Sequence, residues 1–457
     1  MSDTASQTAD TDRTGPVILD SLLDAARQAG AESADALTLS SRSLTVSRRL
    51  GEIEDLNRSE TDAFGLRVLI DGRQAAVALT DSAPDAIREA AARAVAMARA
   101  APRDPCAGLA DAARLADPSA LPDLDLCDPV PLSEDDLDTL ARRAEDTARA
   151  IKGVTNSGGA EASWQRTRIG LATSDGFLGS YQGTMSALSV AMLAGEGTGM
   201  VRDYAMSRAR HAADLEDAET VGRRAGDRTV ARLGDGRLPT GAMPVVFEPR
   251  TARSLLGHFA QAVNGGGIAR GTSFLKNSMG EQVFAPGVAI VDDARIQRGP
   301  GSRPFDGEGV VTGRLDLIAD GVLKSWILDS YTGRKLDLGT TGSASRGLSA
   351  PPSPSSSNLY MAAGIVSPDA LIGEIERGFL VTELIGMGVN PVTGDYSRGA
   401  AGFLIENGQI RHPVSEITIA GNLRDMFRRL TPADDLVLRY GMDAPTLRIE
   451  GMTIAGA

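Results

Sequence analysis

MPVVFEPRTARSLLGHFAQAVNGGG, residues 243–267, is the stretch on which the reading of this chain turns. The apolar run at 243–248 has the length of a short strand and leads directly into an amphipathic helix. Pro249 suits the first helical turn, where its missing N–H is no loss. Ala252, Leu255, Leu256, Phe259, Ala260 and Val263 recur at i, i+3, i+4 spacing and make one buried stripe. Asn264 and three glycines then stop the helix. His258 falls at the border of the stripe, beside Ser254 and Gln261. A metal needs at least a second ligand and usually a polarising base. An HExxH helix would carry another His and a Glu one turn earlier, but Ser254 and Leu255 stand there. Read from these residues alone, His258 is a structural or hydrogen-bonded side chain.

Downstream of the helix, short strands alternate with Gly, Asp and Asn turns. Residues 288–294, 314–330, 402–410 and 446–456 read as strands, and Asp320-Gly321 and Asn407-Gly408 as hairpin turns. This pattern predicts a β-rich, barrel-like or sandwich domain with few helices over 239–457. Within it, the low-complexity stretch 343–358 reads as a lid, a binding loop or a disordered segment.

Upstream, the order helix, antiparallel strands, helix occurs twice. The first module, 17–103, opens with a helix ending at Gly30. It continues through a hairpin with its turn at Asp71-Gly72 and closes with an alanine-rich helix at 85–100. The second, 133–238, opens at a capping box formed by Ser133 and Asp136, turns at Asp175-Gly176, and closes with a helix near 234. Residues 104–132, rich in Pro and Asp, read as a linker, and the polar 1–16 as a disordered tail. The fold class expected is therefore α+β.

Composition narrows the function. The chain has 457 residues, 42% apolar and 23% charged, within the range of globular proteins. A formal charge of −13 and 4% aromatic residues argue against nucleic-acid binding, which needs basic surface or stacking platforms. The chain lacks a signal-peptide pattern and a membrane-length apolar run, so a cytoplasmic protein is expected. Two cysteines, Cys106 and Cys127, and three histidines leave little material for a metal site. GEGTG at 195–199 lacks dinucleotide-loop spacing and reads as a hairpin turn. Ser273 and Lys276 match S-x-x-K without its companion motifs. Asp292-Asp293 and Asp306/Glu308 are close carboxylates best read as turn residues.

Longer segments carry a resemblance. Residues 243–260, 265–283, 288–294, 306–310, 358–361, 386–410 and 445–456 are similar to the C-terminal domain of the TldD/PmbA family. GLRVLIDGRQAAVALT, 65–80, is similar to that family's N-terminal domain. The resemblance implies two branches. One, TldD, carries a zinc motif HExxxH on the helix quoted above and a later cysteine ligand. The other, PmbA or TldE, lacks the motif and pairs with TldD. Matching the shared Gly-His to Gly257-His258 puts Arg253 at the first His position and Ser254 at the Glu position. This chain has no Cys after 127, and NPVTGDYS at 390–397 resembles PmbA. The resemblance thus implies the PmbA branch. No metal is expected on this chain, because an arginine repels a cation and Ser254 is a poor base.

The function implied is that of the subunit without zinc in a TldD–TldE heterodimer that degrades or processes unfolded peptides, with zinc in the TldD-like partner. A homodimer of the isolated chain is left open. His258, Asn264, Gly265, Gly266, Arg270, Thr272 and Ser273 are the expected cavity wall, together with the 343–358 loop. The alternatives are a stand-alone peptide-binding or scaffold protein, and a non-zinc hydrolase using Ser273/Lys276 or His258.

Overall fold

The computed structural model describes residues 4–234 and 236–456. Helix α1 (Thr4–Ala29) leads into strands β1 (Ser33–Arg49), β2 (Glu52–Ile70) and β3 (Arg73–Leu79), then helix α2 (Pro84–Ala100). Helix α3 (Glu134–Arg149) opens the second module. Strands β4 (Val154–Thr173), β5 (Leu178–Ala194) and β6 (Val201–Ala209) follow, then helix α4 (Ala218–Ala231). Helix α1 thus begins within the stretch read as a tail, and residues 1–3 lie outside the described residues. The capping box at Ser133 and Asp136 forms as expected, each side chain bonding the other's backbone N–H.

The two modules share one antiparallel sheet, ordered β3-β2-β1-β4-β5-β6. They join through β1 and β4, paired from Asp35 opposite Thr173 to Arg48 opposite Ala160. Side chains alternate along a strand, so one parity faces each side. Ala34, Ala36 and Ala172 pack on α1 and α2, whereas Leu44, Val46, Ala160, Ala162 and Trp164 pack on α3 and α4. All are even-numbered, which places both helix pairs on one face. The odd-numbered Leu37, Ile169 and Leu171 face the other way and pack with Phe177, Phe305 and Leu348. One turn of this sheet breaks the usual chemistry: Leu50 holds φ 53° before Gly51. The fully buried Glu145 carboxylate supports it, accepting the N–H groups of both residues and the Ser157 hydroxyl.

Beyond the modules come β7 (Gly241–Phe247), α5 (Pro249–Ala262), α6 (Gly265–Ala269), β8 (Ile290–Asp293), β9 (Arg314–Ala319), β10 (Val322–Leu323) and α7 (Ser330–Lys335). Next are β11 (Ala344–Ser345), β12 (Ser353–Pro354), β13 (Leu359–Met361), α8 (Pro368–Gly373), β14 (Arg377–Ile385), β15 (Asp395–Glu406) and β16 (Gln409–Asn422). The chain closes with α9 (Leu423–Arg428), β17 (Leu430–Pro432), β18 (Met442–Asp443) and β19 (Leu447–Ala455). Strands β7, β14, β15, β16 and β19 form a closed five-stranded barrel, completed by pairing of β16 with β19. A second sheet, β10-β9-β8-β13-β18, lies across α5 from the barrel. The barrel-like β domain inferred from turn chemistry is thereby observed. Asp320-Gly321 and Asn407-Gly408 take the paired positive φ that hairpin turns of this kind require.

Two connecting segments are held in place by tertiary contacts. The 104–132 stretch joins the two modules and is bound along its length, for the Arg334 guanidinium donates to the carbonyls of Cys106, Gly108 and Leu109. Tyr331 hydrogen-bonds Asp104, and Leu115 bridges to Val310. The 343–358 loop is not a lid. It carries the β11–β12 hairpin, and its Arg346 is buried with Arg67 on the Asp35 carboxylate. Leu348 lies against Gly65, where a Cβ would fall 2.5 Å from the Leu348 carbonyl oxygen.

Burial alone would raise the Asp35 pKa, but the charges and hydrogen bonds of Arg67 and Arg346 outweigh it and hold the carboxyl below its usual range. Its contribution to stability is therefore present above the unfolded carboxyl pKa and fades as pH falls through the lower folded value. Asp35→Asn should leave two buried guanidinia uncompensated and cost about 3–5 kcal/mol in urea unfolding at neutral pH. A loss below about 1 kcal/mol would show that the triad is not what holds loop and sheet together.

Candidate functional site

Helix α5 buries Thr251, Ala252, Leu255, Leu256, Phe259 and Ala262, close to the stripe read from the sequence. Its two flanks open onto clefts facing β6, the end strand of the large sheet. One cleft, of about 370 Å³, is walled by Tyr204, Met206, Arg253, Val437 and Tyr440. The other, of about 340 Å³, runs past Arg202, Ser254, Glu383 and Arg398.

Between them stands Asp203, almost fully buried. Arg250 binds both its oxygens, at 2.6 and 3.3 Å, with Arg228 and Arg232 at 3.8 and 3.7 Å. Burial pushes the Asp203 carboxyl up, but Arg250 and then Arg228 bring it below its ordinary value. The same side chains close the edge of β6. The carbonyl of Arg202 accepts from Arg232, that of Tyr204 from Arg250, and that of Met206 from Arg224 and Tyr440. Charged caps on an end strand block pairing with another strand, so this is a side-chain surface. Glu216, held by Arg224 and Arg439, is brought down to about 2.

Arg253, Ser254 and His258 on α5 point different ways. The Arg253 guanidinium stacks on the Tyr440 ring, 4.1 Å from its centre. Ser254 Oγ donates to the Thr251 carbonyl at 2.7 Å. His258 Nε2 is buried and has no hydrogen-bond partner among the described residues. Its ring meets Tyr396 edge-on at 6.1 Å, and the Tyr396 hydroxyl is likewise buried without a partner. Burial, then the charge of Arg398, lowers the His258 pKa. Among the described residues no three His, Cys, Asp or Glu side chains converge as a metal site would require. The residues present on α5 do not fit a zinc ion.

Residues 264–273, which include α6, run beside this region with Gly265, Ile268 and Ser273 buried. The Asn264 side chain caps α6 through Gly266 N–H and donates to the Pro354 carbonyl. Gly265 packs where a Cβ would meet Leu328 and Thr332, while Arg270 and Thr272 reach the surface. His258 and these residues line neither cleft flanking α5. Ser273 Oγ is buried, donating to the Ala262 carbonyl and accepting from Leu275 N–H, and Lys276 bonds the Gly271 carbonyl. That pair is structural, so the hydrolase reading built on it fails. Asp292, buried in β8, accepts from Ser357, so the turn reading does not hold for it; Asp306, also buried, accepts the N–H groups of Glu308, Val310 and Ala344 as a turn residue. The residues that sequence reasoning missed, Asp203, Arg250 and Tyr440, carry no local motif.

Sequence comparison completes the picture. Three domains described for PmbA/TldA metallopeptidases match in order: domain 1 at 34–98, the central domain at 127–233 and the C-terminal domain at 240–456. This chain belongs to the PmbA/TldD family. Within it, Metalloprotease PmbA of Escherichia coli O157:H7 is 39% identical over 93% of this chain and 92% of its own length. A PmbA homologue of Haemophilus influenzae is 34% identical over 95% and 94%. That organism also has a TldD homologue, 29% identical over 48% of this chain. A crystal structure from Bacteroides thetaiotaomicron superposes with a TM-score of 0.90 at 26% identity, covering 97% of this chain and 99% of that one. The PmbA branch is the one supported, as Arg253 and Ser254 indicated.

A family member built this way should tolerate loss of the Ser273 hydroxyl. Ser273→Ala is expected to cost about 1 kcal/mol of stability through its two hydrogen bonds, without affecting any peptide cleavage in which the chain takes part. Glu308 makes a sharper test. Burial, with Asp306 beside it, raises its carboxyl from 4.5 to about 7. The folded chain keeps a proton that the unfolded chain loses, so this group makes stability fall as pH rises from 4.5 to about 7 and then level off. Subtracting the unfolding profile of Glu308→Gln from that of the wild type should recover that slope. A flat difference would mean Glu308 is charged in the fold.

Proposed function

We propose that this chain is the PmbA-type subunit of a two-subunit cytoplasmic protease. A TldD-like subunit supplies zinc and general base, and the complex degrades or processes unfolded peptides. The observation that carries this reading is Arg253. The family resemblance matches Arg253 to the motif's first-ligand position; its guanidinium is stacked on Tyr440, while Ser254 is bonded to its own helix. Neither can hold a cation or accept a proton from a metal-bound water. The presence of PmbA and TldD homologues in one organism supports pairing.

Among the described residues, no helix is long and apolar enough to cross a membrane. Exposed apolar side chains such as Ile365, Met387 and Val437 are available for contact with a partner.

Co-expression with a TldD-like subunit tests the proposal. The two chains should co-elute on gel filtration, and an unfolded peptide should be cut only when both are present, with cleavage lost on chelation. The isolated chain should retain no stoichiometric zinc. Cleavage by the isolated chain that survives a chelator would overturn the reading.

A further inference from the structure

The two ends of the large sheet are finished differently. At β6 the outward carbonyls are taken up by Arg224, Arg232, Arg250 and Tyr440. At the opposite end β3 covers only the second half of β2, pairing from Phe64 opposite Leu79 to Ile70 opposite Arg73. The first half, residues 52–62, pairs with β1 on its inner side. Among the described residues no strand, backbone group or side chain bonds its outer N–H and C=O groups, and every residue of the run is exposed. An end strand left this way is a template for one more strand.

Proteins usually blunt such an edge with a proline, a bulge, a short strand or a covering element. Residues 52–62 contain no proline, and the register with β1 is unbroken from Asp55 opposite Ser47 to Leu69 opposite Ser33. The single bulge, at Glu54, lies outside that run. Charge is the barrier left, and it has one sign: Glu52, Glu54, Asp55, Glu60 and Asp62 stand against Arg58. Arg49 and Arg42 of β1 lie 3.8 and 3.9 Å from Glu54 and Glu60, in exposed pairs that hold little energy. Glu52, Asp55 and Asp62 have no ionic partner among the described residues. Leu56, 41% exposed, adds an apolar spot in the middle of the run.

This pattern selects the occupant. A second copy is disfavoured, because its own edge sets the same five acids and one arginine against their like. A strand with lysine or arginine at alternate positions does the opposite. Side chains at i and i+2 share a face, so two bases spaced that way fall opposite Glu60 and Asp62, while an apolar residue meets Leu56. Antiparallel addition continues the pairing used throughout this sheet. We propose that residues 52–62 are a docking edge for a strand of a partner protein, added antiparallel to β2 and carrying lysine or arginine at alternate positions. Main-chain hydrogen bonds supply the affinity, and the acids choose the partner. The partner is defined by this chemistry alone and not by the two-subunit reading.

Labelled nonapeptides added to the full chain test this. The first alternates threonine with lysine opposite Asp62 and Glu60, glutamate opposite Arg58 and leucine opposite Leu56. The second exchanges lysine and glutamate, and the third keeps the side chains of the first with its central backbone nitrogens methylated. By fluorescence anisotropy the first should bind about tenfold more tightly than the second. The third should not bind, since a methylated nitrogen cannot donate to the edge. Hydrogen exchange with the first peptide present should slow alternate amides between 53 and 62, those turned away from β1. Glu60→Lys combined with Asp62→Lys, both at exposed positions, should reverse the preference and leave the melting temperature unchanged. If that variant fails to fold, the methylated peptide and the exchange pattern still decide the matter in the wild type. Equal binding of the methylated peptide, a preference that survives the double substitution, or unchanged exchange across 53–62 overturns the proposal. Self-association of the free chain that protects the same amides would assign the edge to a second copy and overturn it as well.

Discussion

The period-two alternation of the large sheet is the constraint from which the rest of this structure follows. Strand β1 pairs with β4 from Asp35 to Arg48, and this run leaves no freedom to choose which side chains face which side. Four helices cover the even-numbered face. The odd-numbered face must be covered too, and the C-terminal half of the chain does so with Phe305 and Leu348. Asp35 belongs to that odd face. It pairs with Arg67 directly across the strand and with Arg346 from the covering loop. A charge triad this deep is tolerable only because every member is paired.

The same sheet ends at β6, and an end strand presents unpaired carbonyls. Here arginines from α4 and α5, with Tyr440, take them up. The side chains that protect the edge also organise the boundary between the sheet and the barrel, with Asp203 at its centre. Helix α5 therefore has two tasks. Its apolar stripe fills the space between the barrel and the second sheet, and its polar flank meets β6. A metal site on that flank would need ligands converging on one point, whereas Arg253, Ser254 and His258 engage Tyr440, Thr251 and Tyr396.

Much of this was legible in the chain itself. The capping box at Ser133, the hairpin turns at Asp71, Asp320 and Asn407, the stripe of α5 and the barrel-like C-terminal region all depend on a few consecutive residues, and all are present. The turn at Leu50-Gly51 carried no such signal, because its unusual backbone is supported by Glu145, some 95 residues away. The contacts that hold the linker and the low-complexity loop were hidden for a related reason. Pro, Asp, Ser and Gly mark a segment without regular structure, but not whether its carbonyls will meet an Arg334 or its arginine an Asp35.

By itself the sequence determined the α+β class and the strand-to-helix entry at 243–267, with Arg253, Ser254 and His258 on that helix. These are matters of residue type and short spacing, where the physics is local. Only the tertiary structure decided that the two modules share one sheet and that Arg250 and Arg228 converge on the buried Asp203. A charge is satisfied or left bare by partners that lie 47 residues away for Arg250 and Asp203, and 311 for Arg346 and Asp35. No periodicity reaches that far, because the distance is set by how sheet, helix and barrel stack in three dimensions.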